Sequence, residues 1–285
     1  MRWPLSRTAT ILRRPEQQRQ HSERNRYALT TPILQIAALS KSCGGVLAVN
    51  ECSLAVHEGT ITGLIGPNGA GKTTLFNLIT GAEKPTAGRI LFHGRRIDGL
   101  PPHRVFHEGI VRTFQIPREL KTMTLLENLM LVPPNQVGER IWNPLFFSGR
   151  VSRQEHLHFD KAMEVLEFVE LSHLCDEFAA NLSGGQKKLL ELARTLMCDP
   201  KLILLDEPGA GVNRVLMQKL AAKIEVLSHD LGITIFLIEH DMDLVTRLCN
   251  PVIVMSEGRY LAEGTPDEVK KDQRVLDAYL GGQYR

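Results

Sequence analysis

Three stretches of the chain are uninterrupted apolar runs bounded by turns or charge, at residues 202–205, 234–238 and 252–255. Runs of that length without polar alternation suit strands covered on both faces, as in a parallel sheet flanked by helices. Residues 60–65 read the same way and lead into a glycine-rich turn. Residues 33–39, 52–56, 89–93 and 110–114 read as further strands. Helical patterns lie between them. One is predicted from about 71 to 80, with Gly81 closing it. Thr124 and Glu127 form a capping-box pattern for a helix to about Leu131. Phe159, Met163, Leu166 and Val169 recur at helical spacing, and a further helix starts near Ser183 and carries Leu189, Leu190, Ala193, Leu196 and Met197. Helices at about 213–229 and 241–248 fill the gaps between the last strands.

Strands alternating with helices imply an α/β fold built on a parallel sheet. The helix-rich stretch from about 115 to 190 lies between two strand regions and reads as an inserted helical subdomain. Residues 133–152 carry Pro133, Pro134, Gly138, Pro144 and Gly149 and read as an irregular insertion. Residues 1–31 differ from the rest, with seven arginines against the acids Glu16 and Glu23 and no apolar segment of signal-peptide length. They are expected to be a disordered basic tail, leaving residues 32–285 as the folded domain, with a C-terminal tail from about 265.

Composition narrows the function classes. A length of 285 residues suits one domain with a subdomain, and 43% hydrophobic and 23% charged residues are ordinary for a globular chain. A formal charge of +2 gives no reason to expect nucleic acid as a partner. No apolar run reaches the roughly 18–20 residues of a membrane-spanning helix, so any membrane role is expected at the surface. The five cysteines are scattered without a CxxC spacing, which argues against a metal site or disulfide framework and for a reducing cytoplasm.

The chemistry begins at Gly66-Pro67-Asn68-Gly69-Ala70-Gly71-Lys72-Thr73, followed by Thr74, between a predicted strand and a predicted helix. Glycines let the backbone curl so that successive N–H groups face an anion, and the helix N-terminus adds its dipole. In this pattern Lys72 reaches the β- and γ-phosphates and Thr73 offers its hydroxyl to Mg²⁺. Residues 202–205 end in Asp206 and Glu207. A buried strand delivers its C-terminal residues to the crevice where α/β folds bind ligands. Asp206 there suits Mg²⁺, and Glu207 suits a base that takes a proton from an attacking water or orients it. Leu182-Ser183-Gly184-Gly185-Gln186 opens another helix and places a hydroxyl and N–H groups at its N-terminus, a second anion site. One ATP does not need two γ-phosphate sites on one chain. The economical reading is that the second serves a nucleotide held by another subunit.

With these motifs the chain resembles the nucleotide-binding subunits of ABC transporters, from about Ile33 to Gly282. The resemblance implies a P-loop NTPase fold with a mostly parallel core sheet, a small antiparallel β subdomain and an inserted helical subdomain. It implies ATP hydrolysis with ATP and Mg²⁺. Gln115, in Arg112-Thr113-Phe114-Gln115, matches the family's glutamine loop, which senses Mg²⁺ and water. His240, in Ile238-Glu239-His240-Asp241, matches the histidine that contacts the γ-phosphate. These two strings, with Gly209-Ala210-Gly211-Val212-Asn213 and Ala278-Tyr279-Leu280-Gly281, are similar to the branched-chain amino-acid importers. That group pairs two ATPase subunits, identical or not, with two transmembrane permeases and an external solute-binding protein, which places the ATPase at the cytoplasmic face of the membrane. Urea, amide and other amino-acid importers share the group, and lipopolysaccharide exporters share the short tail.

The chain departs from the family at two points: Cys43 falls where an aromatic ring usually stacks on adenine, and Asn213 falls where an aspartate is usual. Rival classes fit less well. ABC ATPases of DNA repair separate the phosphate loop from LSGGQ by long coiled coils, and here 110 positions without sustained heptads separate Thr73 from Ser183. Translation-factor ABC proteins carry two cassettes, and a GTPase or small-molecule kinase leaves LSGGQ unexplained. A purely binding module would not need Lys72, Asp206 and Glu207 together.

Overall fold

The computed structural model describes residues 32–113, 119–139, 142 and 148–281, and the basic N-terminal stretch and Gln115 lie outside them. The described residues open with an antiparallel hairpin, β1 (Pro32–Cys43) and β2 (Val46–His57). Its turn, Gly44-Gly45, has φ of 55° and 88°, the positive pair that a two-residue hairpin loop requires. Both strands run several residues beyond the apolar cores at 33–39 and 52–56, because the polar positions between them keep the ladder with one face solvated. β4 (Ala87–Phe92) and β5 (Arg95–Arg96) complete a four-stranded antiparallel sheet in the order β2-β1-β4-β5.

The second sheet has six strands in the order β10-β9-β3-β8-β7-β6. Its members are β3 (Ile61–Ile65), β6 (Ile110–Arg112), β7 (Leu202–Asp206), β8 (Thr234–Ile238), β9 (Val252–Ser256) and β10 (Arg259–Gly264). All are parallel except β10, which runs antiparallel on the edge. Every residue of β3, β7 and β8 is buried, as their unbroken apolar runs require. Their Leu and Ile side chains each contribute roughly 1.5–3 kcal/mol by leaving water.

Helices cover the parallel sheet. α1 (Lys72–Ile79) follows β3, and α2 (Pro102–Glu108) precedes β6. Between β6 and β7 the regular elements among the described residues are helical: α3 (Leu125–Met130), α4 (Ser148–Phe168) and α5 (Gly184–Leu196), with short 3-10 turns. The Thr124–Glu127 capping box is formed in full. α4 starts inside the stretch that reads as irregular, because Gly149 sits in its first turn and does not break it. Asn128, fully buried, holds the approach to α3: its amide donates to the carbonyls of Leu120, Met123 and Thr124 and its Oδ1 accepts from Leu120 N–H. α6 (Arg214–His229), α7 (Met242–Leu248), α8 (Pro266–Lys271) and α9 (Gln273–Gly281) complete the described residues. Asn213 caps α6 by accepting from Leu216 N–H, the task an aspartate would perform equally well. No helix among the described residues is long and apolar enough to cross a membrane.

Candidate functional site

The carboxyl ends of β3, β7 and β8 lie side by side, and the chemistry-bearing residues gather there. The loop between β3 and α1 is shaped by three glycines at positive φ: Gly66 (151°), Gly69 (79°) and Gly71 (93°). A Cβ at Gly66 would meet the Met255 carbonyl oxygen at 2.1 Å, and one at Gly71 would meet that of Ala48 at 2.3 Å. The loop is thus wedged between a carbonyl from each sheet. Asn68 and Gly69 are exposed at its crest, and a Cβ on Gly69 would meet nothing.

Lys72, at the first turn of α1, is 6% exposed and donates to the carbonyls of Gly66 (2.7 Å) and Pro67 (3.0 Å). An ammonium has three donors, so one remains for a ligand in the loop. Burial pulls its pKa below the ordinary lysine value, while the nearby carboxylates of Glu207 and Asp206 push it back. The Thr73 side chain is exposed beside it and Thr74 half-buried. A cradle of backbone N–H groups, a desolvated cation and a hydroxyl fit a polyphosphate. Asp206 and Thr73 fit Mg²⁺, which takes few protein oxygens beside phosphates and water. No cluster of three His, Cys, Asp or Glu, the mark of an all-protein metal cage, occurs among the described residues.

Asp206 is buried at the end of β7 and does not stand alone. Arg112, closing β6, sets NH2 at 2.6 Å from its Oδ2 and NH1 at 2.6 Å from Asn77 Oδ1 on α1, with the guanidinium 5.6 Å from the Phe76 ring centre. In the sequence, Arg112 stands out only as part of the Arg112-Thr113-Phe114-Gln115 string. Its role follows from burial, which the sequence pattern does not signal for an arginine.

Glu207, the next residue, adopts φ of 48°, in the left-handed region that non-glycine residues occupy at a cost of order 1–3 kcal/mol. Its N–H bonds to Ile238 O at 3.0 Å, carrying the parallel ladder one step past the strand ends. Its Oε1 lies 3.0 Å from His240 Nε2, just beyond β8. Two of the predicted residues are therefore in direct contact.

The serine-led helix end lies at α5. Ser183 Oγ accepts from Gln186 N–H and Gln186 Oε1 accepts from Ser183 N–H, a complete capping box. Capping uses the oxygen as acceptor and leaves the Ser183 hydroxyl proton to donate outward. Ser183 and Gly184 are exposed. Gly185 is packed so closely on the start of α6 that a Cβ would meet Leu216 Cδ2 at 1.6 Å. At the far end of the chain, burial raises the Tyr279 phenol pKa, offset in part by a hydrogen bond from the Gly66 backbone.

A strand-loop-helix phosphate cradle, an acid pair ending the neighbouring strand and a separate serine-led helix end define an ATPase of the ATP-binding-cassette class. Comparison with known proteins agrees. The family described as ABC transporter matches residues 49–210, and the one described as branched-chain amino acid ATP-binding cassette transporter matches residues 261–285. A probable branched-chain amino acid transport ATP-binding protein, LivG of Archaeoglobus fulgidus, is 44% identical over 251 residues, covering 88% of this chain and 96% of that protein. The high-affinity branched-chain amino acid transport ATP-binding protein BraF of Pseudomonas aeruginosa is 40% identical over 253 residues, covering 89% and 99%. Among solved structures, an ATP-binding cassette of an ABC transporter in its ADP conformation superposes with a TM-score of 0.75 at 40% identity, covering 88% of this chain and 100% of that one. The chain belongs to the ABC transporter family of ATP-binding subunits, and its activity is ATP hydrolysis.

Proposed function

We propose that this ATPase drives a branched-chain amino-acid importer from the cytoplasmic face of the membrane, as one of two ATPase subunits beneath two permeases supplied by an external solute-binding protein. The names of its relatives and the match of its last residues to the branched-chain family support that substrate class. ATP lies in the loop of residues 66–73, its phosphates facing the backbone N–H groups and Lys72. Thr73, Asp206 and Gln115 would hold Mg²⁺, which would supply positive charge beside the phosphates. Glu207 accepts a proton from the attacking water, or orients it, while His240 keeps Glu207 in place and faces the γ-phosphate. Ser183, Gly184, Gly185 and Gln186 of a partner subunit close over the nucleotide and exclude bulk water.

The helical stretch between β6 and β7 transmits closure to the permease. It carries an exposed groove of about 600 Å³ with apolar walls at Met123, Met130, Leu131 and Phe159 and the acids Glu127 and Glu155 on its lining, suited to an amphipathic element of a membrane protein with a basic side. The observation that carries the reading is the pair of anion-binding helix ends on one chain, one on the sheet and one on the helical stretch. Glu207→Gln tests it. The variant is expected to bind ATP with parental affinity, lose at least 100-fold in turnover and accumulate an ATP-bound dimer in size-exclusion chromatography. Parental turnover refutes the assignment of the base, and a variant that stays monomeric with saturating ATP and its permeases refutes the dimer.

A further inference from the structure

Glu239 directly follows β8 and precedes His240, and its side chain has no part in the mechanism described above. It is 4% exposed, and its partners are three backbone N–H groups. Oε2 accepts from His240 (2.9 Å) and Asp241 (3.3 Å), and Oε1 accepts from Gly209 (2.8 Å). No cation lies within ion-pair distance of it among the described residues. A buried carboxylate of this kind is retained only where its hydrogen bonds compensate its lost hydration. One oxygen therefore serves the loop that presents His240, and the other the loop that begins at Glu207. Gly209 has no side chain where a Cβ would stand 2.4 Å from Met217 Cε and 2.7 Å from Glu239 Oε1, so glycine leaves room for both side chains.

We infer that Glu239 is a positioning residue for hydrolysis: its carboxylate fixes the His240 loop against the loop after Glu207 and so sets the separation of base and histidine. The strand ends are already joined by Glu207 N–H to Ile238 O, and the Glu239 bond to Gly209 joins the loops beyond them. The side chain needs two accepting oxygens. A glutamine would turn an NH₂ toward a backbone N–H on one side or the other, whereas an alanine would free both loops. The phosphate loop has no bond to Glu239, so nucleotide affinity should be independent of it.

The inference rests on the roles given above to Glu207 and His240, and the experiment separates the two. Turnover, affinity for a fluorescent ATP analogue in EDTA, and the ring ¹⁵N signals of labelled histidine are measured for Glu239→Ala, Glu239→Gln and Gly209→Ala. The His240 signal is identified by its absence in His240→Gln. Turnover is expected to fall at least tenfold in Glu239→Ala and Gly209→Ala and more than twofold in Glu239→Gln. Affinity is expected to stay within twofold, and the His240 ring signal to move in all three. Val165→Ala, a core truncation remote from the loops, is expected to lower stability without moving that signal. If Glu239→Ala does not fold, Glu239→Gln, which keeps the side chain's size and removes one accepting oxygen, carries the test, because an alanine at Gly209 would also crowd Met217. Turnover within twofold of parental in a folded Glu239→Ala or Gly209→Ala, an unmoved His240 signal, or full activity in Glu239→Gln overturns the inference. Parental turnover in Glu207→Gln and His240→Gln would instead remove the site assignment on which it rests.

Discussion

Arg112→Met removes the guanidinium that clasps Asp206 and Asn77 while keeping an apolar side chain against Phe76. Both members of the ion pair are largely withdrawn from water, with side chains 12% and 5% exposed. Two unit charges about 4 Å apart attract by roughly 4 kcal/mol at an effective dielectric constant near 20, and desolvation takes back much of that gain. Breaking such a pair from one side is worse than never having it, because Asp206 stays buried without its partner, at a typical cost of about 3–5 kcal/mol. Two features place the expected loss at the lower end. The Lys72 ammonium is close enough to interact with Asp206 and offsets part of its charge. The Arg112 Nε is itself buried without a hydrogen bond, a penalty the substitution removes. A destabilisation of about 3 kcal/mol is therefore expected for Arg112→Met and about 2 kcal/mol for Asp206→Asn. The double variant should recover about 2 kcal/mol relative to the sum. Urea unfolding followed by circular dichroism reads all three, with an unchanged denaturant slope showing that native-state stability moved. A loss below 1 kcal/mol for Arg112→Met, or additivity within 0.5 kcal/mol, would refute the reasoning.

Other consequences can be checked with simpler measurements. Gly71→Ala combines an unfavourable backbone angle with a Cβ 2.3 Å from the Ala48 carbonyl, and should cost about 3 kcal/mol in denaturation and weaken ATP binding at least tenfold. Burial raises the thiols of Cys52 to about 11 and of Cys198 and Cys249 to about 12, so at pH 8 they stay protonated, and the thiolate is the reactive form. Iodoacetamide at that pH should label the exposed Cys43 in the native protein and reach those three only after denaturation, as peptide mass spectrometry would record. Cys43→Tyr should tighten ATP binding about fivefold in calorimetry by offering the base a ring, a gain of roughly 1 kcal/mol. An unchanged affinity would show that adenine does not rest at this hairpin.

The parallel strands are legible because burial on both faces leaves a continuous apolar signature, and the cap residues at Thr124 and Ser183 because each has a short-range partner. The phosphate loop is readable from its spacing, and the Asp206–Glu207 pair from its place at a strand end in company with that loop. Glu239 could not, since a lone glutamate after a buried strand looks like its solvated end, and only three converging N–H groups give it meaning. Arg112 was hidden for the same reason, its partners lying 94 and 35 positions away in sequence. His240 was visible only through family likeness, because its contact with Glu207 spans 33 positions. The start of α4 was misplaced because a glycine in a first helical turn has the same composition as one in a loop.

The wedge holding the phosphate loop also constrains how the molecule can deform. Ala48 presses on it from the antiparallel sheet and Met255 from the parallel one, and Gly258 bonds both to Asn50 of β2 and to Ala70 of the loop. The two sheets are in effect cast together around the triphosphate's seat, and one cannot slide past the other without pulling the seat apart. Any large movement during turnover is then expected in the helical stretch between β6 and β7, so cross-linking the sheets should leave turnover intact while pinning that stretch should halt it.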